Sequence, residues 1–136
     1  MFYPKARIQI VEDEFIIAED LRGALEEIGH TVVGVAESFD EAIAHFEEYE
    51  PELVLLDINL QGEAKGIKCG QILNNKGIPF IYISAYIDAK TREKAESTKP
   101  KAFMTKPFDV GQLQLNIKIA LTPSFAALNQ KKKKEY

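Results

Sequence analysis

Three consecutive acids, Glu12, Asp13 and Glu14, stand directly behind the β-prone run Arg7 to Val11, and Asp57 stands behind the apolar run Leu53 to Leu56. Ser84 closes a third run, Phe80 to Ser84. Lys106 follows a fourth, Lys101 to Thr105, with Pro107 and Phe108 after it. Neighbouring carboxylates repel one another, so Glu12, Asp13 and Asp57 brought together require a cation. Oxygen ligands with no second histidine or cysteine nearby suit Mg²⁺ (or Mn²⁺) rather than zinc. The competing explanation for Glu12 to Glu14 is negative charge at a helix start. Asp57 tips the balance, because a carboxylate that ends an apolar strand has few structural uses. Lys106 alone reads as a solvated rim residue. Beside a strand-end Ser84 and followed by Pro-Phe, it reads as half of an anion clamp. A divalent cation on one side, with Lys106 and Ser84 on the other, would neutralise a phosphoryl group on Asp57. That is phosphoryl transfer by positioning and charge neutralisation, with an aspartate as covalent acceptor.

These residues meet only if their strands end on one rim of a parallel sheet. The chain supports that, because strand-like and helix-like stretches alternate five times. Helices are predicted over Glu14 to Ile28, Phe39 to Tyr49, about Ala64 to Asn75, Asp88 to Ser97, and Asp109 to Leu121. Gly29 stands where a helix C-cap belongs, and Ser38 with Glu41 forms a capping-box pair. The second strand is predicted over Thr31 to Ala36. Leu53 to Leu56 shows no alternation, as expected of a strand buried on both faces. Five βα units with short connections imply an α/β fold, with a parallel sheet doubly wound by helices.

A length of 136 residues fits one domain, placed at 1–121, with 122–136 as a short C-terminal helix and basic tail. Thr122-Pro123 resembles a cap and first turn, Ser124 to Gln130 the helix, and Lys131 to Lys134 a solvated run. Residues 1–68 carry a balance of −11 and residues 69–136 one of +7, part of it in that lysine run. An acidic body with a short basic tail offers no basic face for a phosphate backbone, so direct nucleic-acid binding is not expected. No apolar run reaches the length of about 18 to 20 residues that spans a bilayer, and no basic-then-apolar leader opens the chain. Membrane insertion is therefore not expected. Cys69 stands alone and is read as a small core or rim residue in a reducing cytoplasm. His30 and His45 have no partner at metal-site spacing, and His45 is expected at the surface.

The last predicted helix carries two faces. Val110, Leu113, Ile117, Ala120 and Leu121 fall on the side that packs on the sheet, while Leu115 and Ile119 fall nearly opposite. That pair is expected to form a partner surface. The competing occupant is the chain's own Phe125 and Leu128, folded back.

With VEDE at 11–14, LVLLDINL at 53–60, IYISAY at 81–86 and TKPF at 105–108, residues 5–121 resemble the receiver domains of two-component response regulators. The resemblance implies a flavodoxin-like (βα)5 three-layer sandwich with strand order 2-1-3-4-5. It implies a phosphorylation-activated switch, with Asp57 as phosphoacceptor for a sensor histidine kinase or phosphotransfer protein. Asp13 resembles the direct metal ligand, Glu12 the acid that reaches the metal through water, and Asn59 the backbone-carbonyl ligand. Ser84 resembles the switch hydroxyl, Lys106 the phosphoryl-contacting lysine, and Phe103 the switch aromatic. Asn59 and Tyr86 occupy the positions that tune dephosphorylation. The resemblance further implies a cis Lys106–Pro107 bond and dimerisation or docking through the fourth helix, fifth strand and fifth helix. Such a protein is no turnover enzyme: it catalyses only its own Mg²⁺-dependent phosphoryl acceptance and autodephosphorylation. Three departures stand out. Glu12 replaces the commoner aspartate, Phe103 lacks a tyrosine hydroxyl, and Thr98-Lys99-Pro100 replaces a Gly-Ala turn.

Three alternatives compete. A haloacid-dehalogenase-like phosphatase wants an aspartate where Asn59 stands. A flavin carrier needs a phosphate cradle where three acids stand. A receiver-like interaction module would keep the fold without the chemistry.

Overall fold

The computed structural model describes residues 5–62 and 65–122. Strands β1 (Arg7–Val11), β2 (Thr31–Ala36), β3 (Leu53–Asp57), β4 (Phe80–Ser84) and β5 (Ala102–Thr105) alternate with helices α1 (Phe15–Ile28), α2 (Phe39–Tyr49), α3 (Lys65–Lys76), α4 (Ala89–Glu96) and α5 (Val110–Leu121). One 3₁₀ turn, Leu60–Gly62, follows β3. The strands pair in parallel in the order β2-β1-β3-β4-β5, the doubly wound order expected. Short cap interactions set the helix limits. The Ser38 hydroxyl accepts from the Glu41 backbone N–H at 3.2 Å, and Gly29 adopts φ 111°, a left-handed conformation that costs glycine nothing. The Glu41 carboxylate lies 3.8 Å from Nε2 of His45, on the same face one turn on.

Every residue of β3 is buried, which is why that run shows no alternation. Its side chains divide between two cores. Leu53 and Leu55, with Ile8, Ile10, Ile81 and Ile83, pack under α1 and α5 through Leu21, Leu25, Leu113 and Ile117. Val54 and Leu56, with Phe80 and Tyr82, pack under α2, α3 and α4 through Phe46, Leu73 and Ala95, and Cys69 is buried there, in the core rather than at its rim. The loop at Thr98-Lys99-Pro100 is pinned from within: Thr98 is buried, its hydroxyl meets the Tyr82 hydroxyl at 2.7 Å, and Lys99 adopts φ 62°.

Two local expectations are corrected. His45 is half-buried rather than at the surface, because Gln9, fully buried in β1, needs a polar partner; Gln9 Nε2 lies 3.0 Å from His45 Nδ1. Val110 lies on the apolar side of α5 by angle yet is 50% exposed. It is the first residue of the helix, at the rim of the sheet, where it lines a cavity with Ile17, Ala85, Pro107 and Phe108. The expected helix at Ser124 to Gln130, and any packing of Phe125 and Leu128, lie outside the described residues. Among the described residues no helix is long and apolar enough to cross a membrane.

Candidate functional site

Parallel pairing puts the ends of β1, β3, β4 and β5 on one rim, with Asp57 beside Ile83 and Ser84 beside Thr105 in register. Glu12 leaves β1 with its backbone N–H bonded to the Ala36 carbonyl, and its side chain is only 2% exposed. Asp57, the last residue of β3, is 5% exposed, and Asp13 is exposed at the edge. Carboxylate oxygens of Glu12, Asp13 and Asp57 all lie within 4.8 Å of one another.

Lys106 crosses this cluster. Its ammonium donates to Glu12 Oε1 at 2.7 Å, to Asp57 Oδ2 at 3.2 Å and, more distantly, to Glu14 Oε1 at 3.5 Å. The Lys106 backbone N–H donates to the Ser84 carbonyl, and the Lys106–Pro107 bond is cis, as expected. The opposite side of the rim fixes the acids through backbone. Asn59 N–H donates to Asp57 Oδ1 and Gln61 N–H to Asp13 Oδ2, each at 3.1 Å. Gln61 turns this amide toward Asp13 with a φ of 58°.

The charges are not balanced by lysine alone. Burial pushes the Glu12 carboxyl up to about 8, and the Asp57 carboxylate reinforces this against the pull of Lys106. Burial by itself would lower the Lys106 ammonium, but its hydrogen bond to Glu12 and the charge of Asp57 outweigh that and leave it raised. Glu12 Oε2 is buried without a hydrogen-bond partner among the described residues, and so is the Ser84 hydroxyl. An orphaned carboxylate oxygen in an all-oxygen acidic cluster fits a hard divalent cation such as Mg²⁺. Glu12, Asp13 and Asp57 are the side chains available to hold it.

The remaining sequence-predicted residues ring this centre. Phe103 is half-buried in β5, and Tyr86 is 80% exposed in the loop after β4. Leu115 and Ile119 are 57% and 53% exposed on α5, away from the cluster but on the outer face expected of them. Sequence reasoning missed Gly66. A Cβ there would stand 2.0 Å from the Asp57 carbonyl oxygen and 2.6 Å from that of Ile58, so only glycine lets α3 pass so close behind the end of β3. It also missed Gln61, whose contribution is a backbone amide that no side-chain pattern announces, and Arg92, whose guanidinium lies 4.2 Å from the centre of the Phe103 ring.

Residues 8–118 match the family model described as the response regulator receiver domain. Among curated proteins, the chain is 35% identical over 119 residues to the transcriptional regulatory protein YvcP of Bacillus subtilis, covering 88% of this chain and 50% of that protein. It is 36% identical over 117 residues to the phyllosphere-induced regulator PhyR of Methylorubrum extorquens, covering 84% of this chain and 43% of that one. The chain thus spans about half the length of these curated relatives. Among solved structures, the signal receiver domain of a modulated diguanylate cyclase from Desulfovibrio desulfuricans superposes with a TM-score of 0.82 at 29% identity, covering 98% of this chain and 100% of that one.

Proposed function

We propose that this chain, which belongs to the response regulator receiver domain family, is a signalling switch that accepts a phosphoryl group on Asp57 from a histidine kinase or phosphotransfer protein. The observation that carries this reading is the Lys106 ammonium, held between Asp57 Oδ2 and Glu12 Oε1 at the mouth of the acidic cluster. A Glu12–Lys106 pair alone would be a structural bridge. A lysine that also touches the buried strand-end aspartate supports a contact to the product of transfer.

In the step itself an Asp57 oxygen forms a bond to phosphorus while the P–N bond of the phosphohistidine donor breaks and the imidazole leaves with its electron pair. Lys106 faces the phosphoryl oxygens that gain charge, and the buried Ser84 hydroxyl, unpartnered without the phosphoryl group, donates to one of them. The Asn59 amide holds Asp57 in line. A divalent cation bound by Glu12, Asp13, Asp57 and the Asn59 carbonyl supplies the remaining neutralising charge. Phe103 responds to the movement of Ser84, and Asn59 and Tyr86 govern the approach of water to the phosphoryl group. The chain turns over no separate substrate.

The output is protein binding in the cytoplasm, not membrane or nucleic-acid contact. Leu115 and Ile119 on α5 supply the apolar part of a partner or dimer face shared with α4 and β5. YvcP is named as a transcriptional regulatory protein and PhyR as a regulator.

The test is intact-mass analysis after treatment with acetyl phosphate. One phosphoryl group is expected on the wild type with Mg²⁺, none without a divalent cation, and none on Asp57→Asn. An unchanged yield in Asp57→Asn overturns the assignment.

A further inference from the structure

The Phe103 ring has no hydroxyl with which to fix its position, yet it is held. On β4, Tyr82 packs against it with ring centres 5.5 Å apart, and Tyr82 is itself anchored through its hydroxyl to Thr98. From α4, the Arg92 guanidinium carbon lies 4.2 Å from the centre of the ring. That guanidinium is oriented by Glu96, one turn on, whose Oε1 accepts from Arg92 Nε at 3.1 Å. Next to the ring lies a cavity of about 270 Å³, lined by Ser84, Tyr86, Ile87, Arg92, Phe103 and Thr105. Phe103 stands at the wall of that space rather than filling it, and the Ser84 hydroxyl, without a hydrogen-bond partner among the described residues, belongs to the same wall.

We infer that Arg92 is a positioning residue: its guanidinium, seated on the Phe103 ring, holds the aromatic at the wall of the cavity beside Ser84 while Asp57 carries no phosphoryl group. The inference rests on the Asp57 reading above. A ring that moved into the cavity would leave its place against the guanidinium, so the two arrangements compete. A cation on an aromatic face at a partly exposed site shifts such an equilibrium by about two- to fivefold. Glu96 strengthens the hold by orienting the planar guanidinium before contact. α4 thereby sets how readily the switch leaves its resting state, a restraint supplied by charge where the ring has no hydrogen bond of its own.

The experiment uses the whole chain and four variants: Arg92→Gln, Arg92→Lys, Phe103→Leu, and Arg92→Gln combined with Phe103→Leu. Two quantities are read, the aromatic resonances of isotope-labelled phenylalanine without phosphodonor and the rate of mass gain with acetyl phosphate and Mg²⁺. Arg92→Gln is expected to shift the Phe103 resonances and speed phosphorylation about two- to fivefold. Arg92→Lys, which keeps the cation, is expected to fall between it and the wild type. With Phe103→Leu present, Arg92→Gln is expected to leave the rate unchanged, the signature of coupling between the two residues. Unmoved ring resonances, or a rate effect that persists with Phe103→Leu, overturn the inference. Phosphorylation at equal rates in the wild type and Arg92→Gln overturns the role of Arg92 alone, whereas a wild type that takes up no phosphoryl group overturns the Asp57 reading. Glu96→Gln, which loosens the guanidinium without touching the ring, serves if Arg92→Gln does not fold, and is expected to move the ring resonances less and in the same direction.

Discussion

Lys106 and Glu12, 94 positions apart in the chain, meet at 2.7 Å, and the same ammonium reaches Asp57 at 3.2 Å. The lysine therefore occupies one oxygen on each of two carboxylates that would hold a divalent cation. Removing its charge removes a competitor for those oxygens and a neighbour that repels the cation. Lys106→Met is expected to bind Mg²⁺ severalfold more tightly once the pH is high enough to ionise its Glu12 carboxyl, which without the pull of Lys106 titrates above that of the wild type. The same variant is expected to accept phosphoryl at least about tenfold more slowly, since a charge-assisted contact to the transferring group is lost. Calorimetric titration and timed mass analysis measure the two. Weaker cation binding would show that the lysine organises the acids rather than competing for them.

The raised Glu12 carboxyl makes cation binding depend on pH. In the cation-free protein it titrates near 8 rather than at its ordinary 4.5, burial being the main cause. A ligating carboxylate must be ionised, so Mg²⁺ displaces a proton. Affinity is expected to rise by up to about tenfold per pH unit below 8 and to level off above it. Stability runs the other way. Between 4.5 and 8 the folded state holds a proton that the unfolded chain has lost, so unfolding free energy falls as pH rises through that window. Saturating Mg²⁺ is expected to abolish that fall. Titrations in two buffers of different ionisation enthalpy report the released proton, and a pH-independent affinity between 7 and 9 would refute the account.

Gly66 permits the approach of α3 to the end of β3. Its backbone N–H donates to the Ile58 carbonyl, and an added Cβ would meet backbone oxygens of Asp57 and Ile58 that cannot rotate away. Gly66→Ala is expected to destabilise the fold by about 1–3 kcal/mol or more and to slow phosphorylation by displacing Asp57. Denaturant unfolding checks the first effect. A wild-type midpoint would mean that α3 shifts freely.

Some of this site was legible in the sequence because its signals are local. Four apolar residues running into Asp57 mark a buried strand and its end together, and the same logic placed Ser84 and Lys106. Features that depend on distant partners left no such mark. Gln9 reads as an interruption of an apolar strand until His45 is found beside it. Val110 fits the packed face of α5 by angle but stands at its first turn, before the helix crosses the sheet. The Gln61 amide acts through a backbone dihedral, and Arg92 finds its ring only after β5 and α4 are brought together.

Tyr86 stands two positions beyond Ser84, and Asn59 two beyond Asp57, and both are exposed at the rim. Water attacking an Asp57 phosphoryl group in line passes between such side chains. A tyrosine ring there obstructs the path without supplying a proton acceptor of useful basicity. Tyr86→Ala is expected to shorten the phosphoryl lifetime severalfold while leaving the rate of acceptance unchanged. Lifetime is read as loss of phosphorylated mass after the phosphodonor is removed, and an equal or longer lifetime counts against shielding.

The outer face of α5 sets the last prediction. Leu115 and Ile119 are four residues apart, both more than half exposed, with Leu113, Ile117 and Ala120 buried on the opposite side. Single exposed aliphatics are ordinary, but two on adjacent turns form a strip that water solvates poorly. Leu115→Glu combined with Ile119→Lys replaces that strip with an i,i+4 pair of opposite charge, which favours the helix itself. The double variant is therefore expected to fold at least as stably as the wild type. It is also expected to accept phosphoryl on Asp57 normally and to lose self-association, or capture of its regulatory partner, by about tenfold or more. Sedimentation with and without acetyl phosphate measures the association. Should the variant lose stability while its oligomeric state is unaltered, the strip is covered by the chain's own residues and the output face lies elsewhere on the domain.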